Sequence, residues 1–212
     1  MSDHPIAARW RVLRQAGRAG LIPYFTAGYP TPGASVEVLR RAEAAGADFI
    51  EVGVPFTDPL ADGPTIQHAT EVALAQGVDP GAALQLIRRA GLRVPVVIMS
   101  YLNPVLAYGL ERFLREAHAA GAAGLILTDL PAGVDPDLER RLARGPVALI
   151  RLVAPTTTDA RLRAALTGAR GFVYLISRLG VTGARDAVPP DLEAQVARVR
   201  AATPLPVAVG FG

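Results

Sequence analysis

Apolar residues along this chain fall into two alternating patterns, short unbroken runs and longer stretches with helical spacing. Pro5 to Ala16 places Ile6, Trp10 and Leu13 at helical intervals and meets Gly17 as a stop. The run Gly20 to Thr26 reads as a strand, and the turn-rich segment 27–33 returns the chain to a helix from Ala34 to Ala45. Asp48 to Val54 predicts a second strand, followed by helical material at Ile66 to Ala75 and Pro80 to Ala90. Val94 to Ser100 is the third, with Tyr101-Leu102-Asn103-Pro104 as its exit, and helix-like Val105 to Ala119 leads to a fourth at Gly124 to Thr128. The fifth and sixth strands are Val147 to Leu152 and Gly171 to Ile176, followed by helices at Asp159 to Leu166 and Leu192 to Arg200. Pro206 to Val209 starts a seventh strand before Gly210-Phe211-Gly212.

Continuous rather than alternating apolar runs are the mark of parallel strands buried on both faces, and intervening helices are what parallel connections require. Ala45-Gly46-Ala47-Asp48 and Ala120-Gly121-Ala122-Ala123 form a weak internal echo, each glycine ending a helix before a strand. A doubly wound open sheet fits the same alternation, but its dinucleotide fingerprint is absent after the first strand. Polar and glycine-rich residues gather after strands one to six, which places them around one rim. The expected fold class is therefore α/β, a TIM-type (β/α)8 barrel with about seven strands in this chain and an N-terminal helix covering its bottom.

Composition narrows the function classes. The 212 residues, half of them hydrophobic, suffice for one domain with one core over 1–212. There is no cysteine, and His4, His68 and His118 lie far apart, so no metal site is expected. No basic segment followed by an apolar run opens the chain, and no stretch is long enough to span a membrane, so the expected location is the cytoplasm. The net charge of +3 comes from arginines spread along helices, not from a block with aromatics, and no nucleic-acid partner is implied.

The stretch Glu51 to Gln67 carries the chemistry. Glu51 interrupts an apolar strand near its end, where an ionisable group is costly, and a proline-braced loop sets Asp62 at a defined distance from it. Two carboxylates so placed suit proton transfer. Each also has a plain structural alternative: Glu51 as a surface or capping acid, and Asp62 as a cap for the helix that starts near Pro64. Phe56 and Leu60 brace this loop or face a protein partner. The polar loop Ser177 to Pro190, with Gly180 and Gly183, has the length and glycine content of a lid, or of a plain connection.

The run Glu51 to Gln67 closely resembles the signature of the tryptophan synthase alpha subunit family. So do Pro23-Tyr24-Phe25-Thr26-Ala27-Gly28, Tyr101-Leu102-Asn103, Asp129-Leu130-Pro131, Gly171 to Arg178, Val181-Thr182-Gly183-Ala184 and Gly210-Phe211-Gly212. The resemblance implies reversible retro-aldol cleavage of indole-3-glycerol phosphate to indole and glyceraldehyde 3-phosphate. It implies Glu51 as the catalytic acid and base and Asp62 as the acid that orients the ring N–H. Tyr24, Tyr101, Tyr174 and Thr182 would contact substrate or the closed site, and Gly183, Gly210 and Gly212 would bind phosphate. Asp58, Arg178 and Val181 would serve the lid and its regulation.

By the same resemblance the chain needs no cofactor of its own. Pyridoxal phosphate is expected in a beta-subunit partner, in an alpha2-beta2 assembly. Family members continue after Gly-Phe-Gly through another helix, an eighth strand and a final helix with a Gly-Ser phosphate element. Stopping at Gly212 is expected to leave the seventh and first strands unclosed, with lower stability and weak phosphate retention. A free-standing lyase and a catalytically weak module that activates a beta subunit are the alternatives.

Overall fold

The computed structural model describes residues 4–177 and 189–211. Seven parallel strands form one sheet in sequential order: β1 (Tyr24–Thr26), β2 (Ile50–Gly53), β3 (Val96–Ser100), β4 (Ala122–Leu127), β5 (Ala148–Val153), β6 (Val173–Ile176) and β7 (Val207–Gly210). This is the TIM-like β/α arrangement expected from the alternation of runs. Among the described residues β1 and β7 are each paired on one side only. None of the described helices is long and apolar enough to cross a membrane.

Some of the described helices begin at side-chain caps that the sequence supplies. In α2 (Pro32–Ala44) the Thr31 hydroxyl accepts from Ala34 N at 3.2 Å, and in α4 (Pro80–Ala90) Asp79 accepts from Ala82 N at 2.7 Å. Gly91, at φ +61°, ends α4 in the left-handed conformation that a side chain resists. The single helix expected over 105–119 is two, α5 (Leu102–Tyr108) and α6 (Leu110–Ala119), because Gly109 at φ +94° breaks the ladder between them.

One helix was not expected from hydrophobic spacing. Pro136–Arg144, α7, buries only Leu138 and Leu142, and its other positions are mostly charged. Its signals are those of the ends: Asp135 accepts from Leu138 N at 2.9 Å, Pro136 opens the helix, and Arg141 and Arg144 close it.

The core has two main layers. One lies between the sheet and the outer helices; the other fills the sheet's concave interior. Helix α1 (Pro5–Gln15) plugs the interior from below, where Trp10 stacks on Phe49 at 4.9 Å and meets Phe172 edge-on at 6.0 Å. Asp48 fastens this plug. Its fully buried carboxylate accepts from Arg9 at 2.6 Å, from both Arg18 terminal nitrogens at 2.6 and 2.8 Å, and from Leu21 N at 2.9 Å.

Candidate active site

The strand register puts Tyr24 of β1 directly beside Glu51 of β2, both on the concave face above the aromatic floor. Glu51 is 4% exposed, and no described residue hydrogen-bonds its carboxyl. Burial alone pushes its pKa up to about 8. Its place within β2, paired on both sides by parallel strands, fixes this side chain rigidly, and the apolar surroundings keep it protonated near neutrality. That is the state a general acid needs at the start of a reaction.

Asp62 sits on the loop between β2 and α3 (Pro64–Ala75), and Tyr101 holds that loop down. The Tyr101 oxygen accepts from Leu60 N at 3.1 Å and Ala61 N at 3.0 Å, and the phenol hydrogen-bonds the Asp62 carboxyl. Phe56 stacks on the Tyr101 ring at 5.3 Å, and Gln67 donates to Asp62 O at 2.8 Å. Burial raises the Asp62 pKa, while the Tyr101 hydrogen bond pulls the other way. Of the two acids, Glu51 is therefore the more strongly held in the neutral form.

Two tyrosines share one packing device. Tyr24 leans across β2 over Gly53, and Tyr174 of β6 leans across β7 over Gly210. A Cβ at Gly53 would stand 1.9 Å from Tyr24 Oη, and one at Gly210 would stand 2.3 Å from Tyr174 Oη. Glycine is required at both places because the phenol occupies the side-chain space. Tyr24, Glu51, Tyr174 and Gly210 all border one open cavity of about 1080 Å³ that runs along the seam between β1 and β7.

Tyr101 spends its hydroxyl on the loop, which makes it an organiser of Asp62. Asp58 is exposed and accepts from the Thr57 hydroxyl at 2.5 Å, and Leu60 is 79% exposed. Arg178, Val181, Thr182, Gly183 and Gly212 lie outside the described residues.

Spacing did not reveal two further connections. Asp129, after β4, accepts from Leu102 N at 2.7 Å and so ties the exits of β3 and β4 together. Arg151 of β5 is buried and paired with Glu139 of α7, whose other oxygen accepts from Gly133 N at 2.7 Å. An arginine inside an apolar strand was the available signal for the second.

The sequence profile of the family described as tryptophan synthase alpha chain matches residues 11–212. The tryptophan synthase alpha chain of Acidiphilium cryptum (strain JF-5) is 49% identical over 98% of this chain and 76% of its own length. That of Methanosarcina acetivorans is 45% identical over 98% and 75%. Among solved structures, Mycobacterium tuberculosis tryptophan synthase superposes with a TM-score of 0.89 at 41% identity, over 100% of this chain and 81% of that one. The alpha subunit from Legionella pneumophila gives 0.89 at 34% identity, over 100% and 79%.

Proposed function

The chain belongs to the tryptophan synthase alpha chain family, and from that premise we propose that Glu51 and Asp62 together carry the cleavage of indole-3-glycerol phosphate to indole and glyceraldehyde 3-phosphate. The observation that carries this assignment is the buried carboxyl of Glu51, which borders the cavity from within β2, accepts no hydrogen bond from any described residue and is kept protonated near pH 7 by burial.

The bond between the indole ring and the glycerol chain breaks once the ring carbon that bears the chain is protonated. Protonated Glu51 supplies that proton, leaving an iminium-like ring whose N–H is acidic. The Asp62 carboxylate accepts this N–H and stabilises the positive charge as it develops. Ionised Glu51 then takes the proton from the glycerol hydroxyl next to the breaking bond. The electron pair of that bond returns to the ring, and the hydroxyl carbon becomes the aldehyde of glyceraldehyde 3-phosphate. Glu51 ends protonated, as it began.

No cofactor enters these steps. The partner implied by the family is a beta subunit, which would carry pyridoxal phosphate and consume the indole in an alpha2-beta2 assembly. The exposed Leu60, on the loop that bears Asp62, is suited to report that partner's presence to the site.

Indole release from indole-3-glycerol phosphate, with and without a beta subunit, tests the assignment. The unmodified chain should release indole, and Glu51→Gln should reduce kcat by about 100-fold or more. A Glu51→Gln chain as active as its parent would overturn it.

A further inference from the structure

The Tyr24 phenol fills the space that a side chain at position 53 would occupy, since its Oη lies 1.9 Å from where that Cβ would be. Residues 51 and 53 are successive inward-facing positions on β2, so this space is immediately above Glu51 on the cavity side. The hydroxyl therefore sits over the strand that bears Glu51, one side-chain step nearer the mouth. Thr26, which pairs in register with Gly53, lies beside the phenol and favours its ionised form, though burial outweighs this. The phenol borders the cavity, and its hydrogen can rotate about the C–O bond toward it.

Among the described residues, the other strands around Glu51 offer no equal donor on their inward faces. β3, β4, β5 and β7 present Met99, Ile126, Leu152 and Ala208, all apolar. Tyr174, from β6, reaches over Gly210 on β7 and not over β2. Asp62 and Tyr101 lie on the loop side and are bonded to each other. Arg14, Arg18 and Arg200 border the same cavity, and Arg18 is committed to Asp48.

A buried carboxyl that must ionise within a catalytic cycle requires a donor at that moment. We propose that Tyr24 is a positioning residue that donates its hydroxyl hydrogen to the Glu51 carboxylate once the carboxyl has protonated substrate, holding it aimed at the glycerol hydroxyl. No proton is transferred to or from the phenol. This rests on the assignment of Glu51 as the acid and adds a role that a plain aromatic contact to substrate does not require. Burial, and the negative charges of Asp62 and Glu51, hold the Tyr24 phenol well above its ordinary pKa, which keeps it a donor throughout the working range.

Tyr24→Phe keeps the ring over Gly53 and removes only the donor. The expected result is a kcat about ten-fold lower with KM nearly unchanged. Carbon-13 NMR titration of the Glu51 carboxyl in the substrate-free chain should show its midpoint about one unit higher in Tyr24→Phe than in the parent. Circular dichroism would confirm that the variant keeps its fold. An unchanged Glu51 midpoint, a shift confined to Asp62, or an effect on KM alone would each overturn the proposal. The titration needs no turnover, so its outcome is separate from the Glu51→Gln assay that tests the reaction itself.

Discussion

The ring of Tyr174, on β6, lies so closely over Gly210, on β7, that a Cβ at 210 would come within 2.4 Å of Tyr174 Cε1 and 2.3 Å of its hydroxyl oxygen. Two neighbouring strands thus share one side-chain volume, and the glycine exists to yield it. Gly210→Ala should push the phenol into the cavity beside Glu51 and lower kcat/KM by about ten-fold or more. In a double-mutant cycle the same substitution should cost far less when Tyr174 is already alanine. Full additivity of the two losses would show that the contact does not matter to the site.

Glu51 should destabilise the fold it serves. Its folded pKa, about 8, lies above the value of an exposed glutamate, so the folded state holds a proton that the unfolded chain releases. Its contribution to stability is fully present below the unfolded value, near pH 4.5, declines as pH rises, and is lost once pH passes about 8. Glu51→Gln removes this dependence. Its melting temperature should match the parent's near pH 4 and exceed it near pH 9, by a margin on the order of a few kcal/mol in stability. A constant difference across that range would refute the burial argument.

The Asp48 cluster should behave in the opposite sense. Burial acts to raise this carboxyl's pKa, but hydrogen bonds from Arg18 and Leu21 N, with Arg9 beside it, outweigh burial and hold it below the usual carboxylate range. Its stabilisation is present above the unfolded aspartate value and is lost as pH falls through the lower folded value. Asp48→Asn should cost about 1–3 kcal/mol at pH 7 by urea denaturation, the two arginines being partly exposed. Near pH 2 the difference should shrink.

Tyr101→Phe should free the loop that carries Asp62. Two backbone N–H groups, Leu60 and Ala61, lose their acceptor, and Asp62 loses a donor. Amide exchange at Leu60 and Ala61 should accelerate markedly, and kcat/KM for indole release should fall about three- to thirty-fold. Unchanged exchange at both amides would rule out the tether.

The ends of α7 show where sequence patterning was informative and where it was not. Leu138 and Leu142 are too few to mark a helix by hydrophobic spacing, whereas Asp135-Pro136 at one end and Arg141 with Arg144 at the other are chemical stops that the backbone requires. The strands were legible because burial on both faces leaves no polar alternation to confuse. Gly109 is not legible as a break within a helical run, since nothing local distinguishes a tolerated glycine from one at φ +94°.

For the candidate site, the sequence by itself singled out the two acids: a glutamate in an apolar strand and an aspartate behind prolines are anomalies of local chemistry, visible without any fold. It also determined the parallel β/α plan, through period and run length. Only the tertiary structure decided that Tyr24 stands over Gly53, Tyr174 over Gly210, Tyr101 beneath Asp62, and Arg151 against Glu139. These pairs are separated by many residues and depend on strand register and on which helix covers which strand. Periodicity states which face a residue occupies, whereas its neighbour across the sheet is chosen by the packing of the whole barrel interior.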